Sequence, residues 1–96
     1  MTVAKRASAA ELQRLYRAFA ESGDPGQVAA LMDDLCTIRE VHEMAQRLTV
    51  AFMLSSGESY TAIEKKTGAS ATTIARVSKC LNYGAGGYRA VIDREA

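Results

Sequence analysis

The sequence predicts an all-α fold: an intertwined helical homodimer that carries a helix-turn-helix. Three observations predict it. Apolar residues recur at helical spacing along most of the chain, and no alternating run suggests a strand. The stretch YTAIEKKTGASATTIARVSKCL, Tyr60 to Leu81, reads as two short amphipathic segments hinged at Gly68. Finally, the chain has 96 residues, of which 48% are hydrophobic. A domain of that size buries only about 60–65% of its unfolded surface, so the apolar surplus points to a second copy.

The elements follow in order. Ser8 with Glu11 makes a capping box that opens the first helix. Leu12, Leu15, Tyr16 and Phe19 share one of its faces, and Ser22 with Gly23 ends it. Asp24 is the next N-cap, and Pro25 takes the first helical position, where its missing N–H costs nothing. Val28, Leu31, Met32 and Leu35 then repeat at i, i+3, i+4 and i+7.

Thr37 and Glu40 form a further capping box at the start of the longest helix, which strings Val41, Met44, Ala45, Leu48 and Phe52 along a stripe. Its second half, VAFML from Val50 to Leu54, is apolar nearly all round. Such a helix has to be covered on every side. A second subunit supplies that cover most economically; a central helix inside a monomeric bundle is the alternative.

Gly57 stops this helix and Ser59 starts the helix-turn-helix, at about 59–82. Gly68 ends the first segment in a left-handed conformation, and Ser70 caps the second. Ile63 anchors the first, while Ile74, Val77 and Leu81 form the stripe of the second. A second helix held this way can enter a major groove while the first crosses the phosphates. NYGAGGY then breaks the chain before a last short helix from about Tyr88 to Arg94. All of this reads as a single domain over residues 1–96. Whether the N-terminal helix joins the dimer core stays open, and Met1 to Ala7 look too short and polar to pack alone.

The net charge of +1 points to no partner by itself, but its distribution does. Lys65, Lys66, Arg76, Lys79 and Arg89 fall between Lys65 and Ile92, a span without an acid. The acidic excess lies before it, so the positive charge coincides with the candidate reading unit. No apolar run approaches the roughly 18–20 residues that cross a bilayer, and the N-terminus lacks a signal-peptide core. A cytoplasmic protein without membrane partners is the expectation.

Enzyme chemistry finds no foothold. Cys36 and Cys80 match no metal-ligand spacing and read as free thiols. His42 has neither a nucleophile nor an orienting group suggested by position. Asp33 and Asp34 are adjacent on a helix and point about 100° apart. The expectation is no catalytic residue, no metal and no resident cofactor.

The block from Thr37 to Leu81 resembles the Trp repressor family, in particular its shorter Trp-repressor-like relatives of the YerC/YecD type. The resemblance rests on Thr37, on Arg47 in the long helix, on Gly57-Glu58 and on Gly68-Ala69 followed by Ala71-Thr72-Thr73-Ile74-Ala75-Arg76. It implies an all-helical, intertwined homodimer whose reading helices enter successive major grooves of a palindrome, about 34 Å apart. It also implies base-facing positions at Ala71, Thr72 and Ala75, with Thr73, Ser78, Lys65, Lys66 and Lys79 at phosphates. In the family, two arginines clamp a tryptophan corepressor; here these are Arg47 and Arg76. Guanidinium groups suit that task, stacking on an aromatic face and binding a carboxylate.

The chain departs from the family pattern at the pocket. Val77 replaces the glycine that leaves room for the indole, and Cys80 replaces a serine at the ligand's polar end. The sequence therefore predicts weak or no binding of L-tryptophan. A different small corepressor, or a purely structural role for Arg47 and Arg76, stays open. The functional expectation is a dimeric, sequence-specific DNA-binding regulator, a repressor, whose partners are double-stranded DNA and its own second copy. The alternative is a helical dimerisation or adaptor module without operator recognition, motivated by Val77, Glu64 and the alanine-rich reading surface.

Overall fold

A computed structural model of the chain describes residues 5–95 and contains six helices. They are α1 (Ala9–Glu21), α2 (Pro25–Leu35), α3 (Ile38–Ser55), α4 (Tyr60–Thr67), α5 (Ala71–Tyr83) and α6 (Gly87–Glu95). No strand occurs among the described residues. The chain divides into two compact units, one ending at Ile38 and the other beginning at Arg39. No helix among the described residues is long and apolar enough to cross a membrane.

In the first unit, caps rather than packing define the helices. Ser8 Oγ accepts from the Glu11 N–H at 3.1 Å, and Glu11 Oε1 accepts from the Ser8 N–H at 2.9 Å. The Ser8 backbone N–H, and after it the Ser8 side chain, stabilise the ionised carboxylate, so the Glu11 pKa lies below its ordinary value. Asp24 Oδ1 accepts from the Gln27 N–H at 2.9 Å, with Pro25 opening α2. Neither α1 nor α2 contains a buried residue. Leu12, Leu15, Tyr16 and Leu35 are exposed, as are Lys5, Arg6 and Ala7. Met1–Ala4, for which little packing is expected, lie outside the described residues.

The second unit holds the core. Val50 and Ala51 of α3 are buried with Ile63 of α4, Ala69 of the turn, Ile74, Val77 and Leu81 of α5, and Ile92 of α6. Phe52, Met53, Leu54 and Tyr88 pack against this cluster and stay half-buried. The full cover expected around the VAFML segment is therefore not met within one chain. The stripe expected on α3 is also not its most buried face: Ala45 and Leu48 are exposed, and Val41, Met44 and Phe52 are half-buried. The Val50–Ala51 side faces the core instead.

Beyond α3, the chain reverses through a Schellman turn. The Gly57 N–H donates to the Leu54 carbonyl at 3.0 Å and the Glu58 N–H to the Met53 carbonyl at 3.1 Å, with Gly57 at φ +84°. Ser59 caps α4 by accepting from the Ala62 N–H, and Ser70 caps α5 by accepting from the Thr73 N–H. Between them Gly68 sits at φ +76°, as a left-handed C-cap demands. The short final helix anticipated after the glycines is α6, anchored by Ile92.

Candidate nucleic-acid interface

Helix α5 presents two faces. Ile74, Val77 and Leu81, at i, i+3 and i+7, are turned into the core. On a helix that leaves Ala71, Thr72, Ala75 and Lys79 on the outer side, and all four are exposed. Lys65 is exposed on the last turn of α4. These side chains form one outward surface at the start of α5 and the end of α4, whose close packing positions them.

Thr73 and Ser78 are placed differently. Both are half-buried on the flanks of α5 rather than on its outer face. Thr73 Oγ1 accepts from Ser70 Oγ at 3.1 Å. The Ser78 carbonyl accepts from Asn82 Nδ2 at 3.0 Å, and its hydroxyl lies 3.5 Å from the same nitrogen. Lys66 is exposed but already paired: its Nζ donates to Glu58 Oε1 at 2.6 Å. Glu58 is the less accessible partner, its side chain 28% exposed against 64% for Lys66. An ammonium held by a carboxylate presents little net charge to a phosphate.

A second feature lies between α3 and α5. Glu43, Gln46 and Arg47 face Thr73 and Arg76 across a cleft of about 260 Å³. The two arginines singled out in the sequence are thus brought together. The other expected pocket residues are not: Thr37 and Cys80 are exposed elsewhere, and Val77 is 2% exposed in the core. Val77 follows Arg76 by one position, so it points about 100° away, along the Ile74–Leu81 side. The cleft is therefore lined by polar and charged residues, with no aliphatic or aromatic side chain among them. Glu43 Oε1 also meets Arg39 Nε at 3.2 Å, an exposed pair one turn apart. Cys36 and Cys80 are free thiols.

Sequence reasoning missed Gln46, Glu43 and Glu58. Gln46 and Arg47 stand one turn before Val50 and Ala51, so the i, i+4 relation to the buried pair was the available signal. Glu58 was noted only as the companion of Gly57; its approach to Lys66 depends on the turn geometry.

The Trp repressor protein family model matches residues 10–96. The chain belongs to the Trp repressor family. It is 46% identical over 84 residues to the uncharacterized protein YerC of Bacillus subtilis (strain 168), covering 88% of this chain and 81% of that protein. A crystal structure of a candidate Trp repressor from Staphylococcus aureus superposes with a TM-score of 0.86 at 36% identity, covering 92% of this chain and 88% of the other. The TrpR-like protein of Eubacterium eligens ATCC 27750 gives 0.87 at 38% identity, over 91% and 90%. The Trp repressor match runs from the first turn of α1 through α6, so the anticipated all-helical, Trp-repressor-like fold is the one adopted. This is a family of helical regulators rather than of enzymes.

Proposed function

We propose that the chain is a homodimeric, sequence-specific transcriptional regulator that represses by occupying a palindromic DNA operator. The observation that carries this reading is the exposed outer face of α5, with Ala71, Thr72, Ala75 and Lys79 opposite a fully packed inner face. Thr72 can exchange a hydrogen bond with a base edge, and the two alanines offer methyl contacts, for example to thymine. Lys65 and Lys79 are free to meet phosphates, which set register but not sequence. With so short a direct code, DNA shape and bridging water carry part of the preference.

Homodimerisation is supported by what a single chain leaves uncovered. Ile38 is 79% exposed and Tyr16 56%, and Leu12, Leu15, Leu35 and Leu48 are exposed beside them in the sequence pattern. Large apolar side chains left this exposed in both units are surface that a partner copy can cover.

The regulator works without L-tryptophan in this reading. The cleft between Arg47 and Arg76 is walled by Glu43, Gln46 and Thr73, so no aliphatic or aromatic residue is there to sandwich an indole. A small polar effector is the ligand class that such walls suit. No metal or resident cofactor enters the function.

Selection from a random duplex library at near-physiological salt, with and without L-tryptophan, tests all of this. One enriched palindrome, unchanged by tryptophan, is expected. Enrichment only with tryptophan overturns the corepressor reading. No enrichment in either arm overturns DNA recognition and favours a dimeric adaptor module, for which the Lys66–Glu58 pair and the near-neutral net charge already argue.

A further inference from the structure

The hinge between α4 and α5 is tied to α3 by a side chain from outside the helix-turn-helix. The last turn of a helix leaves carbonyls without intrahelical donors. Thr67 closes α4, and its carbonyl accepts from Gln46 Nε2 at 3.1 Å. That bond spans 21 residues. The hydroxyls of Thr49, Ser56 and Thr67, by contrast, each return to the carbonyl four residues back.

Thr67 organises the hinge in its own right. Its Oγ1 donates to the Ile63 carbonyl at 2.7 Å and accepts from the Ala69 N–H at 3.1 Å. The Gly68 N–H donates to the Glu64 carbonyl at 2.9 Å. Gln46 therefore holds the residue on which the turn is built, and Ser70 and α5 follow directly.

Gln46 is one turn before the fully buried Val50, on the same face of α3. Packing of Val50 against the core holds α3 close to the reading unit, but apolar contact is non-directional. The amide–carbonyl bond is directional, favouring a nearly linear N–H···O arrangement. It supplies the orientation that packing leaves loose. The chemistry is specific to an amide: the Thr67 carbonyl accepts only, an ionised carboxylate has no donor, and a thioether of equal length has none either.

We propose that Gln46 is a positioning residue for DNA recognition, acting through Thr67 to set the angle at which α5 is presented. This rests on the DNA-reading function above.

The test compares the full-length chain with Gln46→Met and Gln46→Glu. Affinities are measured for a selected palindrome and a scrambled duplex, and amide hydrogen exchange is followed at Gly68 and Ala69 without DNA. The expected result is faster exchange at both amides in both variants. The ratio of palindrome to scrambled affinity should fall about five- to tenfold, the size of one hydrogen bond, with helix content unchanged. Gln46→Glu should also weaken both duplexes through its added charge, and Gln46→Met separates that effect. Unchanged exchange at Gly68 and Ala69 overturns the positioning role. Equal loss on both duplexes in Gln46→Met overturns it as well. A wild-type chain that shows no preference between the duplexes overturns the DNA-reading function itself, and does so before any variant is compared.

Discussion

Neutralising Glu58 should make the protein bind DNA more tightly and more salt-dependently, because Glu58 now occupies Lys66. Lys66 Nζ lies 2.6 Å from Glu58 Oε1. Two-thirds of the lysine side chain remains in solvent, so the pair adds at most about 1 kcal/mol to stability. Its electrostatic effect on a polyanion is larger. To meet a phosphate, Lys66 has to leave a carboxylate that stays behind and repels the same phosphate. In the proposed complex, Lys66 of the wild type would thus contribute little net counterion release, while Lys79, in a stretch without acids, would contribute fully.

Each additional phosphate neutralised steepens the slope of log K against log salt by about 0.9. Glu58→Gln should therefore steepen the slope by roughly that amount. Over a fourfold change in salt, from about 50 to 200 mM, the extra loss of affinity is about 3.5-fold. The tightening at low salt should be alike on palindromic and scrambled duplexes. Fluorescence anisotropy across a salt series measures all of this. Lys79→Gln should flatten the wild-type slope by about 0.9, Lys66→Gln should barely change it, and Glu58→Gln with Lys66→Gln should return it to the wild-type value. A Glu58→Gln slope equal to wild type, or a full-unit flattening by Lys66→Gln alone, refutes the reasoning.

Three further outcomes are expected. Gly68→Ala should cost about 1 kcal/mol, because the residue stands at φ +76° with open space around a new Cβ. Gly84→Ala should cost more at an ordinary φ, because its Cβ collides with the Cys80 backbone carbonyl; thermal unfolding that ranks the two the other way contradicts both assignments. The lowered pKa of Glu11 means that its ionised form stabilises the folded chain above the unfolded-state pKa, and that this contribution is lost as pH falls through the lowered value. The stability difference between wild type and Glu11→Gln should accordingly shrink on acidification in urea unfolding curves. Replacing the exposed Tyr16 and Leu15 by charged residues should convert the proposed dimer to a monomer in sedimentation equilibrium; an unchanged mass removes α1 from the interface.

Much of this fold is legible from local chemistry. Ser8 with Glu11, Asp24 before Pro25, Ser59, Gly68 and Ser70 each act within a few residues of their own position, and each does in the structure what its residue type dictates. The i, i+3, i+7 stripe of α5 is legible for the same reason and determines which side of the helix is left for recognition. Contacts that depend on how α3 meets the reading unit are not. The stripe on α3 follows helical spacing from Val41 to Phe52, whereas the buried side is the one that joins the cluster of Ile63, Ile74, Val77 and Leu81 through Val50 and Ala51. The bond from Gln46 to Thr67 and the approach of Glu58 to Lys66 follow from that docking and from the turn after α3, and residue type alone does not announce either.

The distribution of burial carries the strongest physical support for the proposed second chain. Among the described residues, every buried one lies between Val50 and Ile92, in the half that contains the helix-turn-helix. The helices α1 and α2 have clear caps and a regular apolar stripe, yet Phe19, Val28, Leu31 and Met32 are only half-buried and no residue of either helix is fully buried. Isolated helices of 13 and 11 residues are marginal in water, because nucleation is costly and capping adds only about 1 kcal/mol per end. Most helical stability in proteins comes from packing an amphipathic face. Leu12, Leu15, Tyr16 and Leu35 form such faces and have no full cover in one chain. The exposed Leu48 and the half-buried Phe52 to Leu54 pose the same demand at the centre of α3. The proposed second copy would bring the same uncovered stripes, so each demand could be met by symmetry. A two-fold assembly of that kind also presents two α5 helices in a fixed relation, which is the geometry a palindrome requires. In the proposed dimer, the cover for the apolar surplus seen in the composition and the pairing of reading helices would thus come from a single arrangement.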